Sequence, residues 1–441
     1  MRAGGRADSE IELGPVDALT HEGEGIIHAG KTVFVAGALP GETVRYRRIR
    51  RHKRHDDGLL LEVVQAAPER TTPRCKYFGV CGGCALQHLA SMRQIEAKQA
   101  ELRDSLERLA RVTPEAWLEP LTGPPWAYRR RARLGARYVP KKERVLVGFR
   151  ERLSSRVAEL DACEVLAPPA GALIGALAAL LSGLDVRTQV PQIEVAVGDN
   201  ATALVLRVLA EPSAADLARL QDFERAHPVR LYLQRGGLES IARLSPAAGE
   251  AALHYTLPAL DLTLEFAPTD FTQVNASMNR VLVRRAIALL APQAGETIAD
   301  FFCGVGNFTL PIARRGARVA GVEGNRDLVR RAEANAAANG LADRARFAVA
   351  DLYAATTASI DALGPLDRAL LDPPREGAIA LVKALPDRLQ RVVYVSCNPA
   401  TLARDASVLV RERGFALAAA GVANMFPHTA HIESIALFTR E

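Results

Sequence analysis

The chain has 441 residues, enough for two or three domains, and 49% are hydrophobic, so each domain can bury a core. Charged residues at 24% and a net charge of +6 describe an ordinary soluble chain with a modest basic excess. No run is predicted to span a membrane: the most apolar, "ALIGALAALL" at 172–181, is about half the ~20 residues required and reads as a buried helix. The N-terminus lacks the apolar core of a signal peptide, which predicts a cytoplasmic location where thiols stay reduced.

Residues 8–66 alternate short strand-like runs with Gly- and Pro-rich turns, the rhythm of a small OB-type β-barrel that carries oligonucleotides. Its "RYRRIRRHKR" (45–54) holds seven Lys or Arg, and "YRRRARLGARY" (128–138) holds five Arg between two tyrosines. Basic side chains interleaved with aromatics suit a phosphate backbone and stacked bases, with DNA and RNA not separated. The plain alternative is a solvated basic face.

"CKYFGVCGGCALQH" (75–88) gathers Cys75, Cys81 and Cys84 of the six cysteines in the chain. In a reduced compartment this spacing points to metal binding or catalysis, with zinc and iron–sulfur both open. Residues 91–112 are predicted as one helix with Met92, Ile95, Leu102, Leu106 and Leu109 along its apolar face. From 126 to 265 the pattern is strand-rich, including "VGFRERLSSRVAEL", with one helix near 168–183. Beyond about 290, strands alternate with helices, as in a parallel doubly wound sheet. Two final strands are predicted as a hairpin at the sheet edge.

"ETIADFFCGVGNFTLPIA" (296–313) runs from a strand through Gly304 and Gly306 into a helix, and Glu323 ends the next strand, where such folds bind ribose hydroxyls. A dinucleotide is disfavoured, because Thr309 replaces the third glycine and Asp300 would repel a pyrophosphate. A cationic ligand without phosphates, such as S-adenosylmethionine (SAM), fits better. Asp351, after the third strand, either meets the adenine or caps the next helix. Cys303 reads as a packing thiol.

Cys397, in "YVSCNPATLARD", ends a strand and precedes a helix whose N-terminus should favour thiolate. "DRALLDPPREG" places Asp372 and two prolines beside it, with Arg375 where amino-nitrogen methyltransferases carry an aromatic. A thiol with no such aromatic argues for carbon methylation. Thiolate addition to C6 of a uracil activates C5, and a base must then remove the C5 proton. Glu433 in "HTAHIESIALF" suits that step, with His428 and His431 as rivals.

The stretches "CGGCALQH", "YRRRARL", "FTQVNASMN", "DFFCGVGNFTLP", "LDPPREG", "SCNPATLARD" and "HIES" jointly resemble the bacterial RNA uracil-C5 methyltransferases over nearly the full length. The similarity is closest to the branch that modifies one uracil of 23S ribosomal RNA. It implies a multidomain α/β chain: an OB-like TRAM β-barrel (1–67), a central β-rich iron–sulfur domain (68–265) and a Rossmann-like SAM-dependent methyltransferase domain (266–441). It further implies Cys75, Cys81, Cys84 and Cys163 as ligands of a [4Fe–4S] cluster. Gln273, Phe302, Asn307, Glu323, Asp351 and Asp372 become the SAM contacts, Cys397 the nucleophile and Glu433 the base. The implied partner is 23S ribosomal RNA, with no membrane and a monomeric chain; a different 23S site or tRNA is the alternative substrate.

Two other classes compete. A radical-SAM enzyme would use Cys-x3-Cys-x2-Cys and leave one iron open, whereas here the first gap is five residues and Cys163 is available. A non-catalytic iron–sulfur RNA-binding regulator leaves Cys397, Asp372 and Glu433 unexplained.

Overall fold

The computed structural model describes residues 10–440; residues 1–9, which open the segments assigned to the signal-peptide test and the barrel, and Glu441 lie outside the described residues. The chain divides into two compact units. The first comprises Met1–Lys98, Arg150–Arg156 and Phe426–His431, and the second the remaining segments.

In the first unit, β1 (Ile11–Pro15), β2 (Ala18–Leu19), β3 (Glu24–Ala29), β4 (Lys31–Ala36), β5 (Thr43–Arg51) and β6 (His55–Gln65) form one sheet. Its order is β1-β5-β6-β4-β3-β2, antiparallel except for β4–β6. Strand alternation turns Val44 and Tyr46 inward and Arg45 and Arg47 outward. The inner face packs Val16, Ile27, Val33, Val35, Ala38, Val44 and Tyr46 into a core. The Tyr46 hydroxyl donates to Glu12 (2.9 Å), which Arg48 also binds (2.7 Å) while reaching Asp56 (2.8 Å). Part of the basic run is therefore structural, and the rest faces solvent.

α1 (Ser91–Asp104) follows, then one π-helical turn over Ser105–Ala110. That turn departs from the single helix expected over 91–112. A π turn inserts a residue, so Ala110 takes the buried place after Leu106 and Leu109 is exposed. Met92, also expected on the apolar face, is exposed.

The second unit holds β7 (Ala116–Trp117), β8 (Arg131–Val139), β9 (Arg144–Gly148), α2 (Ile174–Ser182), β10 (Gln192–Val197), β11 (Thr202–Arg207), α3 (Ala214–Ala226), β12 (Arg230–Gln234) and β13 (Ile241–Arg243). β8–β13 form a sheet of order β13-β12-β11-β10-β8-β9. The parallel β11–β12 pair needs a crossover, and α3 supplies it. The sequence reading assigned this region one helix and missed α3, although Ser213 and Asp216 form a capping box at its start. "VGFRERLSSRVAEL" is a strand only to Gly148. Arg150–Arg156 instead pairs with the cysteine loop of the first unit, through Gly82 N–H to Arg150 O (2.8 Å) and Arg152 N–H to Val80 O (2.8 Å).

A hairpin of β14 (Leu253–Leu257) and β15 (Leu262–Phe266) precedes α4 (Ala276–Leu290). The alternating region then supplies β16 (Thr297–Phe301), α5 (Thr309–Arg314), β17 (Arg318–Glu323), α6 (Arg326–Ala338), β18 (Ala345–Val349), α7 (Thr357–Asp361), β19 (Arg368–Leu371), α8 (Ile379–Ala384), β20 (Arg391–Ser396), α9 (Pro399–Arg411), β21 (Ala416–Ala423) and β22 (Glu433–Thr439). The sheet order is β18-β17-β16-β19-β20-β22-β21-β7. β16–β20 run parallel and β22 is antiparallel to β20 and β21. The order reverses between β16 and β19, the switch point where doubly wound sheets bind ligands. The final hairpin is not the edge: β22 lies inside the sheet, and β7 pairs with β21 beyond it.

Tyr46→Ala should destabilise the first unit by about 3–5 kcal/mol, and Tyr46→Phe by only about 1 kcal/mol. Urea denaturation followed on that unit checks this; equal losses would refute the packing assignment.

Candidate active site

β16 ends at Phe301, and the chain turns through Phe302 (φ 63°), Gly304 (φ 54°) and Gly306 (φ 96°). A non-glycine residue held at positive φ marks a constrained turn. Phe302 and Cys303 N–H both donate to Val322 O on β17 (2.9 and 3.2 Å), which pins it. Glu323, at the end of β17, accepts Gly304 N–H (3.2 Å) and Asn325 N–H (2.9 Å), so its carboxylate heads both loops. The Asn307 side chain exchanges two hydrogen bonds with Asn279 (2.8 and 3.0 Å) and accepts from Tyr255 (3.0 Å). Gln273 Nε2 donates to Asp372 (3.4 Å). Phe302 meets Tyr353 edge-on at 5.8 Å, and Asp351 accepts Tyr353 N–H (2.9 Å). Asp351 therefore does cap the short turn after β18, with its side chain open to solvent.

β20 and β22 bring Cys397 and Glu433 to the same edge of the sheet. Their register pairs Val395 with Ile435 and Ser396 with Ser434; one further step faces Cys397 with Glu433. The Ser434 hydroxyl donates to Ser396 O (3.0 Å), which locks that register. Asn398 caps α9 by accepting Ala400 N–H (3.1 Å) and donates to Arg375 O (3.1 Å). Thr401 reaches the same carbonyl (3.2 Å), so the Asp-Pro-Pro-Arg loop is tied to the cysteine turn. Buried Asp405 accepts Ala378 N–H and the Tyr394 hydroxyl, both at 2.6 Å. The sequence reading missed the supporting roles of Asp405, Tyr394, Asn279 and Tyr255. Asn279 and Asp405 stand inside quoted motifs, but nothing in their spacing marks their partners.

Asp300 is fully buried; Thr309 donates to one carboxylate oxygen (2.5 Å) and the other has no partner. Burial pushes its pKa up to about 8. Burial raises Asp372 to about 7, and burial followed by the Asp372 charge pushes Glu433 well above the usual carboxylate range. The Cys397 thiol is raised to about 11, by burial first and then by Glu433 and Asp372, with Arg375 offsetting part. The expectation that the helix end lowers this thiol is thus corrected: desolvation and two carboxyl groups outweigh it. Cys303 is buried with its thiol pushed up, in keeping with packing.

The other sequence-selected residues make contacts of their own. His428 and His431 belong to the first unit, where Gln94 holds His428 by accepting its N–H (2.9 Å). Cys75, Cys81 and Cys84 lie on the first unit's irregular loop and Cys163 on the second unit, each partly exposed. Cys81 N–H donates to Tyr77 O (2.9 Å), Cys75 N–H to Gln87 Oε1 (3.1 Å) and Gly83 N–H to Cys81 Sγ (3.4 Å). A Cβ on Gly82 would lie 3.0 Å from Arg150 O, so glycine permits that close approach. In the "YRRRARL" run, Arg130 pairs with Asp199 and Arg133 with Glu194, while largely buried Arg131 donates to Pro268 O.

A ligand beyond these strand ends must answer buried carboxyl groups and an unpartnered carboxylate oxygen with positive charge, which SAM carries. On a doubly wound sheet of this strand order, that defines the class of SAM-dependent methyltransferases. The family profile of tRNA (Uracil-5-)-methyltransferases matches residues 256–441. The 23S rRNA (uracil(1939)-C(5))-methyltransferase RlmD of Azoarcus sp. (strain BH72) is 53% identical, over 96% of this chain and 99% of its own length. The same-named protein of Dechloromonas aromatica (strain RCB) is 50% identical over 97% and 99%. The chain belongs to this RlmD family of RNA uracil-C5 methyltransferases. The fold also matches Pyrococcus abyssi tRNA (uracil-54, C5)-methyltransferase, solved with S-adenosyl-L-homocysteine, with a TM-score of 0.75 at 24% identity over 97% and 99% of the two chains.

Asp300, Asp372 and Glu433 have folded pKa values above their ordinary values of 3.8, 3.8 and 4.5. The folded protein alone therefore holds more protons than the unfolded chain, and these groups lower stability as pH rises from about 4 to about 8. A bound cation favours their ionised forms. SAM affinity should accordingly climb from about pH 5.5 to about pH 7, approaching tenfold per unit if one proton is released. Calorimetry in buffers of different ionisation enthalpy checks this, and a flat affinity with no proton release would contradict it.

Proposed function

We propose that the enzyme methylates C5 of uracil 1939 in 23S ribosomal RNA, the reaction for which its relatives at about half identity are named. The observation that carries this reading is the β20–β22 register, which faces a strand-end thiol with a buried carboxyl group beside Asp372. The tRNA enzyme that shares the fold is only 24% identical, so ribosomal RNA is favoured over tRNA.

The target uracil must leave its stack to reach Cys397. The Cys397 thiolate forms a bond to C6, and the C5–C6 π electrons move to give an enolate across C4–C5. C5 would attack the methyl carbon that SAM supplies, whose bond to sulfur breaks with the electron pair left on sulfur as a neutral departing thioether, and the sulfonium charge would beforehand offset the carboxylates that disfavour thiolate. Glu433 then takes the C5 proton, the C5=C6 double bond re-forms and Cys397 leaves. Gln273 and Asp372 hold one end of the cofactor site, Asn307 and Phe302 its turn, and Glu323 and Asp351 the ribose and adenine side. The first unit's sheet, as a TRAM-type barrel, and exposed Arg137 contribute grips on the RNA backbone. The protein acts as a cytoplasmic monomer.

Cys75, Cys81, Cys84 and Cys163 would hold a [4Fe–4S] cluster. The donor set consists of thiols alone, and the backbone N–H already directed at Cys81 Sγ suits a cluster-bound thiolate. The cluster's contribution in this reading is to brace the loop.

With 5-fluorouracil-substituted 23S RNA and SAM, wild type should accumulate a covalent complex, because fluorine cannot leave as a proton. Cys397→Ala should form none; an adduct in that variant would remove the nucleophile assignment. Glu433→Gln should trap the complex on normal RNA and slow turnover by at least ~100-fold, and fast turnover would exclude it as the base. Anaerobically purified protein should show iron–sulfur absorption that Cys81→Ser loses. A colourless protein with stoichiometric zinc would sink the cluster.

A further inference from the structure

The turn between β5 and β6 and the start of β6 carry two histidines and a carboxylate that methyl transfer does not use. His52 N–H donates to His55 O (3.0 Å), closing the turn. The two imidazoles stack, with centroids 4.4 Å apart and planes 24° apart. Phe34 of β4 stacks on His55 as well, at 4.8 Å. Asp57 lies two residues along β6 from His55, so strand alternation puts both side chains on one face. Asp57 Oδ2 is 3.1 Å from His52 Nε2, and Oδ1 is 4.0 Å from His55 Nε2. One donor atom from each residue lies within 4.8 Å of the other two. The neighbouring carboxylate, Asp56, is buried and held by Lys31 (2.6 Å) and Arg48 (2.8 Å), so it does not compete.

We propose that His52, His55 and Asp57 form a binding site for a divalent transition-metal ion, whose open coordination position accepts a phosphate oxygen of RNA. Two imidazoles and a carboxylate suit zinc, nickel or copper. Bonds of about 2.0–2.2 Å put tetrahedral donors about 3.3 Å apart. His52 and Asp57 already stand near that spacing, and the His55 ring has to close by about an ångström. A hydrogen bond donated to Asp57 would account for one histidine, but not for a second ring turned to the same carboxylate.

The surroundings decide what completes the site. Arg50 lies 3.9 Å from Asp57, and Arg51, Lys53 and Arg54 adjoin the turn. These cations oppose a bare metal ion, although water and salt screen exposed charges. The same cations attract phosphate, and a metal with three protein ligands keeps a position open for it. Metal and polyanion therefore strengthen each other, and linkage requires each to raise the other's affinity by the same factor. The phosphate half rests on the RNA reading above; the metal half does not.

The test uses nickel chloride with the full-length protein. Titration calorimetry should find one equivalent of nickel that His52→Ala and Asp57→Asn each lose, His52 being exposed enough to change without unfolding the sheet. A 23S RNA fragment should bind about fivefold tighter with nickel in wild type, and equally with or without it in His52→Ala. No nickel binding by wild type, or equal binding by the variants, overturns the site. Nickel binding that leaves RNA affinity unchanged overturns the phosphate bridge. Failure of the methylation reading would instead show as an absent adduct on fluorinated RNA, with the nickel result intact.

Discussion

The position of β22 between β20 and β21 is the constraint on which the reacting centre depends. A purely parallel sheet would carry strand-end groups only from the ends of successive β–α units. An antiparallel strand brings its beginning, not its end, to the edge where ligands bind. That is how Glu433, the first residue of β22, comes to face Cys397, the first residue after β20. Side chains alternate along a strand, so a one-residue slip would turn Glu433 to the opposite face. The Ser434 hydrogen bond to Ser396 and the pairing of β21 with β22 both resist such a slip.

The same placement creates an electrostatic cost. Glu433 and Asp300 are buried and Asp372 is half-buried, and their raised pKa values record the free energy of ionising them without a counter-charge. Among the described residues no arginine or lysine pairs with Asp300; it has Thr309 on one oxygen and nothing on the other. A resident side-chain cation would relieve the site and also abolish its preference for a cationic ligand. The thiol is caught in the same field, so the charge that draws the cofactor also protects Cys397 from ionising until a cation is present. Attraction for a positively charged ligand and restraint of the Cys397 thiol thus have one cause.

Most of the backbone geometry at the sheet's ligand edge was legible because its signals are local. A glycine turn after a strand, an acidic residue at the next strand end, and a Cys-Asn-Pro step into a helix each fix backbone and chemistry within a few residues. What escaped was non-local. Asn279 and Tyr255 act only through Asn307, and Asp405 only through Ala378 and Tyr394. No spacing rule relates such partners. The thiol's direction of shift was misjudged because helix-end attraction can be read from Cys397 to Pro399, whereas burial and the charge of Glu433 cannot. "VGFRERLSSRVAEL" looked like one strand by composition, and its second half hydrogen-bonds to the cysteine loop instead. The helix over 214–226 was different, since its capping box was present and went unused.

The first unit is discontinuous, and this bears on how its two parts form. Its sheet closes entirely within residues 11–65, through contacts available early in synthesis. The cysteine loop cannot finish there. Gly82 needs Arg150 O, and both Ala85 and Leu86 N–H need His428 O, more than 340 positions later. Gln94 completes the same anchor from α1, with its side-chain amide donating to Leu86 and Leu89 O (2.9 and 2.8 Å). Closing so long a loop is an entropic cost met only when the distant segment exists to reward it. The cysteine loop therefore takes its final hydrogen bonds only after nearly all of the chain, through His428, has been made.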